Sequence, residues 1–344
     1  METIDFVLSW VDGNDSEWIA EKRKWEQLAG VARLEGNDAN SDCRFRSDSD
    51  MLRYWFRAVE KFTPWFNKVF FVTCGQKPEW LDENHPKLKL VNHKDYIPSE
   101  YLPTFNSNVI ELNYHRINDL SEHFVLFNDD VFFLQPVNEE YFFKVGRPVL
   151  DTGLKNNDVS KDDSNISRVM INNANLVNTS FDMKKSIVDN RRKWFFIKEL
   201  GCIRTARNCL YYFMNKTLPA FDFGHLAVPH LKSTFAELWD RYNEIMDHSS
   251  RQKFRTDDQV NHWLMASWNQ AKGFFYPANS KKRGRLFGIC TGNVNEAAEI
   301  IRRQKYSQIC LNDTGQNDDP EKCSRILINA LDEILPDKST FEKL

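Results

Sequence analysis

The segment FVLFNDDVFF, which begins at Phe124, constrains the fold of this chain more than any other feature. Its first four residues predict a buried strand, and Asn128, Asp129 and Asp130 follow before the chain becomes apolar again. Desolvating two adjacent carboxylates is costly unless they have partners. Mg²⁺ and Mn²⁺ are common partners because they prefer oxygen ligands. The same three residues are also typical of a turn, so the segment alone leaves both interpretations open.

Other buried strands are predicted on either side of helical patterns. The first runs from Asp5 to Trp10, the second from Val69 to Thr73 and the third from Leu88 to Val91. A helix with an apolar stripe separates the first two, beginning near Ser49 or Asp50. This alternation predicts an α/β fold with a mostly parallel central sheet, of Rossmann-like or GT-A-like type. Ligands bind at the carboxyl ends of the strands in such sheets.

The composition changes after Phe143. Residues 156–173 are polar and predict a loop, and helical patterns follow at about 175–200, 231–246 and 256–268. The sequence contains no internal repeat and no long linker. We therefore expect one catalytic domain over residues 1–344, with a helical insertion at about 144–220.

Composition also excludes some classes of protein. A net charge of −3 argues against nucleic-acid binding by bulk electrostatics. The N-terminus lacks the pattern of a signal peptide, and no apolar run approaches the ~20 residues needed to span a bilayer. The seven cysteines are odd in number and include no CxxC pair, which favours reduced thiols and a cytoplasmic protein.

Polar residues around the first strand form one candidate site. Asp5 and Asp12 bracket the strand, and Asp12-Gly13 predicts a tight turn whose backbone N–H groups can face a ligand. A plain turn explains the same pattern equally well. Trp10 can stack on a ligand, although tryptophan is more often a core residue.

Further candidates lie in the middle of the chain. The loop at 102–108 leads into a helix that carries Glu111, and helix N-termini bind anions, although a capped helix start would give the same pattern. Arg255 can clamp a phosphoryl group or form a local salt bridge. His225 and His230 are five residues apart, which is not the spacing of a helical zinc pair, so zinc is set aside.

Two segments near the C-terminus carry further chemistry. Residues 281–285, KKRGR, can meet a pyrophosphate, an anionic glycan or a membrane surface, or can form a solvated loop. Residues 310–313, CLND, repeat the Asn-Asp pair and can add a contact to a metal or a substrate.

These sequence segments, taken in this order along the chain, resemble those of the Stealth family. Its members are bacterial capsular polysaccharide phosphotransferases, related to the catalytic core of the animal lysosomal-enzyme N-acetylglucosamine-1-phosphotransferase. Four blocks carry the resemblance over nearly the full length: IDFVLSWVDG at 4–13, the long block from Met51 through NDDVF at 128–132, the segment from His225 to Arg255, and CLND at 310–313. The region from Phe143 to Pro219 matches only loosely.

The resemblance implies a reaction and a set of residues. A sugar-1-phosphate moves from a UDP-sugar to a hydroxyl of an acceptor glycan, with release of UMP and formation of a phosphodiester. The implied catalytic residues are Asp5, Glu111, Asp130, His225 and Arg255. We assign substrate contacts to Trp10, Asp12, Gly13, Arg53, Thr104, Asn106, Arg116 and Asn128, and a Mg²⁺ or Mn²⁺ ion to Asp129, Asp130 and Asn312.

The expected partners follow from this reaction. They are a UDP-sugar donor and a polysaccharide or oligosaccharide acceptor. The reaction is also compatible with a lipid-linked acceptor and with peripheral association of the protein with the inner face of the cell membrane.

Two alternative functions stay open from the residues alone. One is a metal-dependent glycosyltransferase that releases UDP, and the other is a non-catalytic glycan-binding module that uses the aromatic residues.

Overall fold

A computed structural model describes residues 2–30, 49–155, 165–214, 220–313 and 317–343. Its first half alternates strands with helices. These elements are β1 (Ile4–Ser9), α1 (Ser16–Ala29), α2 (Ser49–Phe62), β2 (Val69–Thr73), β3 (Leu88–Asn92), α3 (Ser107–Leu112), β4 (His123–Phe127), β5 (Val131–Phe133), β6 (Phe143–Lys144), β7 (Arg147–Asp151) and β8 (Gly153–Lys155).

Helices dominate the second half. Its elements are α4 (Asn165–Ser180), α5 (Met183–Asp189), α6 (Arg191–Trp194), α7 (Ile197–Leu200), α8 (Cys202–Met214), β9 (Ala220–Asp222), β10 (Val228–Leu231), α9 (Lys232–Arg241), α10 (Asn243–Arg251), α11 (Trp263–Ala271), β11 (Tyr276–Ala278), α12 (Ser280–Arg283), β12 (Gly284–Gly288), α13 (Val294–Arg302), β13 (Gln308–Asn312) and α14 (Pro320–Ile334).

The central sheet has the strand order β10-β4-β1-β2-β3. Strands β4, β1, β2 and β3 are parallel, and β10 is antiparallel to β4. The predicted α/β class with a mostly parallel sheet is therefore confirmed. Strands β1, β2 and β4 are nearly continuous runs of buried, mostly apolar residues, as expected for a sheet covered on both faces, whereas β3 at the edge is partly exposed.

A second sheet, β12-β13-β5, begins where the central sheet ends. Strand β13 is parallel to β12 and antiparallel to β5, with Cys310 opposite Val131. Only Asn128, Asp129 and Asp130 separate β4 from β5, so these three residues lie at the junction of the two sheets.

Several predicted helices differ from the observed ones. The pattern at 175–200 predicts one helix, whereas the chain forms α4 to α7, which are interrupted at Phe181 and Asn190 among other positions. Residues 165–173 belong to α4 rather than to a loop, and residues 156–164 lie outside the described ranges. The amphipathic stretch at 231–246 is divided between α9 and α10 at Tyr242, whose backbone leaves the helical region. Packing onto the core determines these breaks, and periodicity alone does not reveal them.

Two large clusters of buried apolar side chains cover the two faces of the central sheet. Phe6 and Phe127 lie in one cluster with ring centroids 4.9 Å apart, and Val7 and Phe124 belong to the other. This division follows the alternation of side chains along β1 and β4. No helix in the described ranges combines the length and the apolar character needed to cross a bilayer.

Candidate active site

The polar turn after β4 is held in place by the backbone. The amide of Val131 donates to the carbonyl oxygen of Asn128 (3.2 Å), and the amide of Leu311 donates to the carbonyl oxygen of Asp130 (2.8 Å). The backbone carbonyl groups of Asn128 and Asp130 therefore stabilise the turn, and the side chains of these residues are available to bind a ligand. Both interpretations from the sequence apply together: the segment is a turn, and the turn presents a polar cluster.

Strand β10 brings a histidine to this turn. Because β10 is antiparallel to β4, with Val228 opposite Leu126, the residues before Val228 lie at the carboxyl end of β4. There the Asn128 side-chain amide lies 3.1 Å from Nε2 of His225. One ligand atom each from Asp130, His225 and Cys310 lie within 4.8 Å of one another. This group of three is the candidate metal centre of the described residues.

The electrostatics of the cluster suit a bound cation. Oδ1 of Asp130 is buried and has no hydrogen-bond partner in the described part of the chain. Desolvation and the adjacent Asp130 carboxylate raise the pKa of Asp129 to about 7, although the Asp129 residue as a whole is exposed. Burial, with Asp130 nearby, also raises the pKa of the Cys310 thiol. A cation would relieve the crowding of negative charge on this turn.

A second pair of charged residues lies on α3 and on the loop after α10. Glu111 is buried on α3, and desolvation raises its pKa to about 7, with the Arg255 charge acting in the opposite direction. Nη2 of Arg255 donates to the hydroxyl oxygen of Ser107 in the first turn of α3 (2.6 Å). A buried carboxyl group that can exchange its proton near pH 7 therefore lies beside a guanidinium group.

Asn106 fixes α3 to the loop that carries Arg255. Its side-chain oxygen caps α3 by accepting from the amide of Asn108 (3.1 Å). Its Nδ2 donates to the carbonyl oxygens of Gln252 (3.2 Å) and Phe254 (2.9 Å), among other acceptors. Asn106 is completely buried, so it positions Glu111 and Arg255 and is not accessible to a substrate.

Two buried histidines connect Glu111 to strand β10. Nε2 of His262 is 3.8 Å from Oε2 of Glu111, and its Nδ1 is 3.0 Å from Nε2 of His230, which lies on β10. Desolvation, with smaller effects of His230 and His225, lowers the pKa of His262 well below its ordinary value. His262 thus contacts both Glu111 and the strand whose preceding segment carries His225.

Asp5 does not join this centre. It lies near the amino end of β1, opposite Phe124, whereas Asn128 follows the carboxyl end of β4. Its carboxylate is fully buried and accepts from Nδ2 of Asn67 and from the amide of Ser121, both at 2.8 Å. These contacts tie two loops to the sheet, and the catalytic role of Asp5 stays a prediction.

Four other predicted substrate contacts are used within the fold. Trp10 is buried and stacks on Phe71 with ring centroids 5.7 Å apart. Arg53 lies 3.2 Å from Asp50 and 3.5 Å from Glu342. The remaining two are Thr104, which is buried and accepts from the amide of Asn106, and Arg116, whose Nε donates to Asn113 and whose guanidinium covers the Trp239 ring.

Asp12 and Gly13 lie in the turn after β1, as predicted, and Asn312 lies at the end of β13. Asp12 and Gly13 form a half-buried turn after β1, in which Oδ1 of Asp12 accepts from the amide of Asn14 (2.9 Å). Asn312 ends β13, and the register that pairs Cys310 with Val131 would, if continued, place Asn312 opposite Asp129. These three residues remain candidates for ligand contacts.

The sequence prediction omitted Cys310 and His262 from the site. A signal for Cys310 existed, because side chains two residues apart on a strand share a face and Asn312 had been selected. His262 gave no such signal, since only the packing of its loop against β10 brings it to His230.

Several known proteins share sequence with this chain. The Stealth protein CR1 model, conserved region 1, matches residues 2–27, and the CR2 model, conserved region 2, matches residues 44–149. The chain is 40% identical over 343 residues to a capsular polysaccharide phosphotransferase, WcwK, of Streptococcus pneumoniae, covering 100% of both chains. It is 37% identical to a receptor polysaccharide phosphotransferase, WefC, of Streptococcus oralis, covering 99% of this chain and 100% of that one.

Among solved structures, the galactosyltransferase LgtC in complex with donor and acceptor sugar analogs aligns with a TM-score of 0.40 and 10% identity, covering 98% of this chain and 96% of that one. The full-length identity to the streptococcal enzymes and the two matched conserved regions decide the family. The chain belongs to the Stealth family of polysaccharide phosphotransferases.

Proposed function

We propose that the protein transfers a sugar-1-phosphate from a UDP-sugar to a hydroxyl group of an acceptor glycan, releasing UMP and forming a phosphodiester in capsular or extracellular polysaccharide. The observation that carries this proposal is the series of contacts from Glu111 through His262 to His230 on β10, because the segment before β10 also brings His225 to Asn128 and Asp130. Phosphoryl transfer depends mainly on positioning and on neutralising charge, and these residues supply both.

In this proposal each residue acts at a defined step. Arg255, held by Ser107, stabilises the charge that develops on the oxygens of the transferred phosphoryl group. Glu111 or His225 accepts the proton of the attacking hydroxyl group. A pKa of about 7 suits Glu111 to this task, because a base of that pKa is both available and effective at neutral pH. Asn128 orients the His225 ring.

The ligand atoms at the turn fit a divalent cation, but they are mixed in kind. Asp130, with Asp129 and Asn312 nearby, offers the oxygens that Mg²⁺ and Mn²⁺ prefer, whereas His225 and Cys310 offer nitrogen and sulfur, which suit softer metals such as Zn²⁺. When bound, a cation would neutralise the diphosphate and stabilise the departing UMP.

The identity of the nucleotide product tests the reaction. The protein is incubated with a panel of UDP-sugars and an oligosaccharide acceptor, and the nucleotides are separated by anion-exchange chromatography. UMP together with a phosphodiester in the glycan is the expected result. UDP release would instead identify a glycosyltransferase and would refute the proposal, and glycan binding without turnover would support a binding module.

A second measurement tests the cation. Treatment with EDTA should stop UMP release, and addition of Mg²⁺ or Mn²⁺ should restore it. Zn²⁺ is included in the same series because His225 and Cys310 lie in the cluster. Full activity after exhaustive chelation would contradict the metal assignment, and recovery with Zn²⁺ alone would shift it to the nitrogen and sulfur ligands.

We also propose that the protein works in the cytoplasm against the membrane and uses α8 to bind the bilayer surface. The support is a stripe of exposed apolar side chains on α8, formed by Ile203, Leu210, Phe213 and Met214. Lys282, from the basic run, donates to the carbonyl oxygen of Glu199 beside the start of α8 (3.1 Å). An apolar stripe with neighbouring cations is typical of helices that bind anionic lipid surfaces.

Vesicle sedimentation tests this surface. Binding to vesicles with anionic lipid should exceed binding to neutral vesicles and should fall when Phe213 and Ile203 are both changed to Asp. Equal sedimentation of this variant and the wild type would exclude α8 as the contact. Dimerisation that the double variant abolishes would identify a second copy of the chain as the partner instead.

A further inference from the structure

A cavity of about 40 Å³ lies beside the segment that carries His225. Gly224 and Leu226, the neighbours of His225, form part of its wall, and Phe223 and Trp263 form an aromatic part with ring centroids 4.6 Å apart. A cavity of this volume holds roughly three water molecules or one small polar group. It is therefore large enough for a single phosphoryl or carboxylate group.

Arg283 lines this cavity, which changes the interpretation of the basic run at 281–285. Lys281 and Lys282 are exposed, but Arg283 is half-buried. Its Nη1 donates to the carbonyl oxygen of Tyr141 (2.8 Å), and its guanidinium lies 4.1 Å from the centre of the Tyr141 ring.

Arg283 has no carboxylate partner within ion-pair distance in the described ranges, and Asp151 and Glu199 act on it only from farther away. Asp151 also lines the cavity, but Arg204 pairs with it at 2.7 Å, and the amides of Gly224 and Ser280 donate to it. The Tyr141 carbonyl uses one of the guanidinium N–H donors, and desolvation lowers the pKa of Arg283. A half-buried guanidinium group without a carboxylate partner among the described residues is a candidate for ligand binding.

Gln308 supplies a second donor to the same cavity. It is 1% exposed, its Oε1 accepts from the amide of Ala227 (3.2 Å), and its Nε2 has no hydrogen-bond partner among the described residues. Gly284 pairs with Gln308 in the β12–β13 ladder, so Arg283 is adjacent to this position. A Cβ atom at Gly284 would lie 2.7 Å from the carbonyl oxygen of Gln308, and only glycine permits this approach.

We propose that Arg283 and Gln308 form a subsite for an anionic oxygen group, either a phosphoryl or a carboxylate, of a substrate bound beside His225. The unused hydrogen-bonding groups of both side chains are donors, and the planar guanidinium matches two oxygens of one anion. This inference rests on the proposed function only for the source of the anion, which is either the donor phosphate or an acidic sugar of the acceptor.

Isothermal titration with three probes distinguishes these sources. UMP represents the donor, glucuronate represents an acidic sugar, and inorganic phosphate represents the anion alone. Wild-type protein should bind at least one of them, and Arg283→Gln should weaken that binding by about tenfold or more, as for the loss of one charged hydrogen bond. Lys281→Gln removes the same charge from an exposed position two residues away and should bind like the wild type.

Gln308→Glu gives an independent test with little change of shape. It keeps the acceptor for the Ala227 amide and replaces the Nε2 donor by an oxygen, so it should prevent anion binding, and the thermal midpoint is measured to show that the variant is folded. The inference is overturned if no probe binds the wild type, if Arg283→Gln and Gln308→Glu bind all probes as the wild type does, or if Lys281→Gln loses as much affinity. Because binding is measured without turnover, UDP release in the product assay would leave this result unaffected.

Discussion

Replacement of Glu111 by Gln should stabilise the protein at neutral pH while it abolishes turnover. Burial raises the pKa of Glu111 from 4.5 to about 7. Below pH 4.5 the carboxyl group is protonated in the folded and the unfolded chain, so it adds no pH dependence. Between pH 4.5 and about 7 the unfolded chain ionises first, and the free energy of unfolding falls. Above pH 7 the buried carboxylate lowers the free energy of unfolding by its full amount, about 3 kcal/mol at roughly 1.4 kcal/mol per pKa unit.

The amide side chain of the Glu111→Gln variant has no proton to lose in this range, so the variant lacks this penalty. The assay is urea unfolding followed by tryptophan fluorescence at intervals from pH 4.5 to 8.5. The stability of Glu111→Gln should match that of the wild type near pH 4.5 and exceed it by about 3 kcal/mol at pH 8. Glu17→Gln, at an exposed position on α1, is the matched control and should leave the pH dependence unchanged.

Two results would refute the reasoning. Equal stability of Glu111→Gln and the wild type at pH 8 would mean that the carboxylate is not desolvated. Retention of UMP release by the variant would mean that Glu111 is not the base, and His225 would then be assigned that role. A gain in stability together with a loss of turnover is the pattern expected of a buried catalytic group.

Three further substitutions test the other roles. Asp130→Asn should lower UMP release by at least about 1000-fold, with an unchanged circular dichroism spectrum, because the buried Oδ1 has no partner to lose; activity near that of the wild type would exclude Asp130 from the cation site. Arg255→Lys should reduce kcat by about 100-fold, because a lysine cannot reproduce the planar guanidinium, and an unchanged kcat would remove Arg255 from the reaction. Asp5→Asn should preserve kcat and lower the free energy of unfolding by about 2 kcal/mol, because either the Asn67 amide or the Ser121 amide would then face an N–H group instead of an oxygen. A large loss of kcat without loss of stability would support the catalytic role.

The strands and the polar turn could be predicted from the sequence because each depends on local pattern. Residues 69–72 and 124–127 are uninterrupted apolar runs, and both lie in buried strands. The turn at Asn128 follows directly from the end of such a run. Strand direction also argues against contact between Asp5 and this turn. In a parallel pair, a residue near the start of β1 is about 13 Å from the carboxyl end at ~3.3 Å per residue, which is too far for direct contact with the turn.

The positions of the histidines depend on the register of β10 against β4, which no local sequence pattern reveals. His225 precedes β10 and His230 lies within it, opposite Phe124, so the antiparallel register places the first at the turn and the second in the core. A shift of β10 by a few residues would exchange these environments. His262 comes from a loop more than thirty residues later, and its contact with His230 is a tertiary contact.

The buried histidines also decide which groups carry charge when a phosphate enters the site. Burial lowers the pKa of His230 to about 3 and that of His262 well below its ordinary value, so neither is a cation at neutral pH. Positive charge toward the phosphate must then come from Arg255 and from a bound cation, and neither changes protonation between pH 6 and pH 8. The pH dependence of turnover in that interval should therefore follow Glu111, whose pKa burial raises to about 7, because a cation bound at the turn would keep the Asp129 carboxylate ionised.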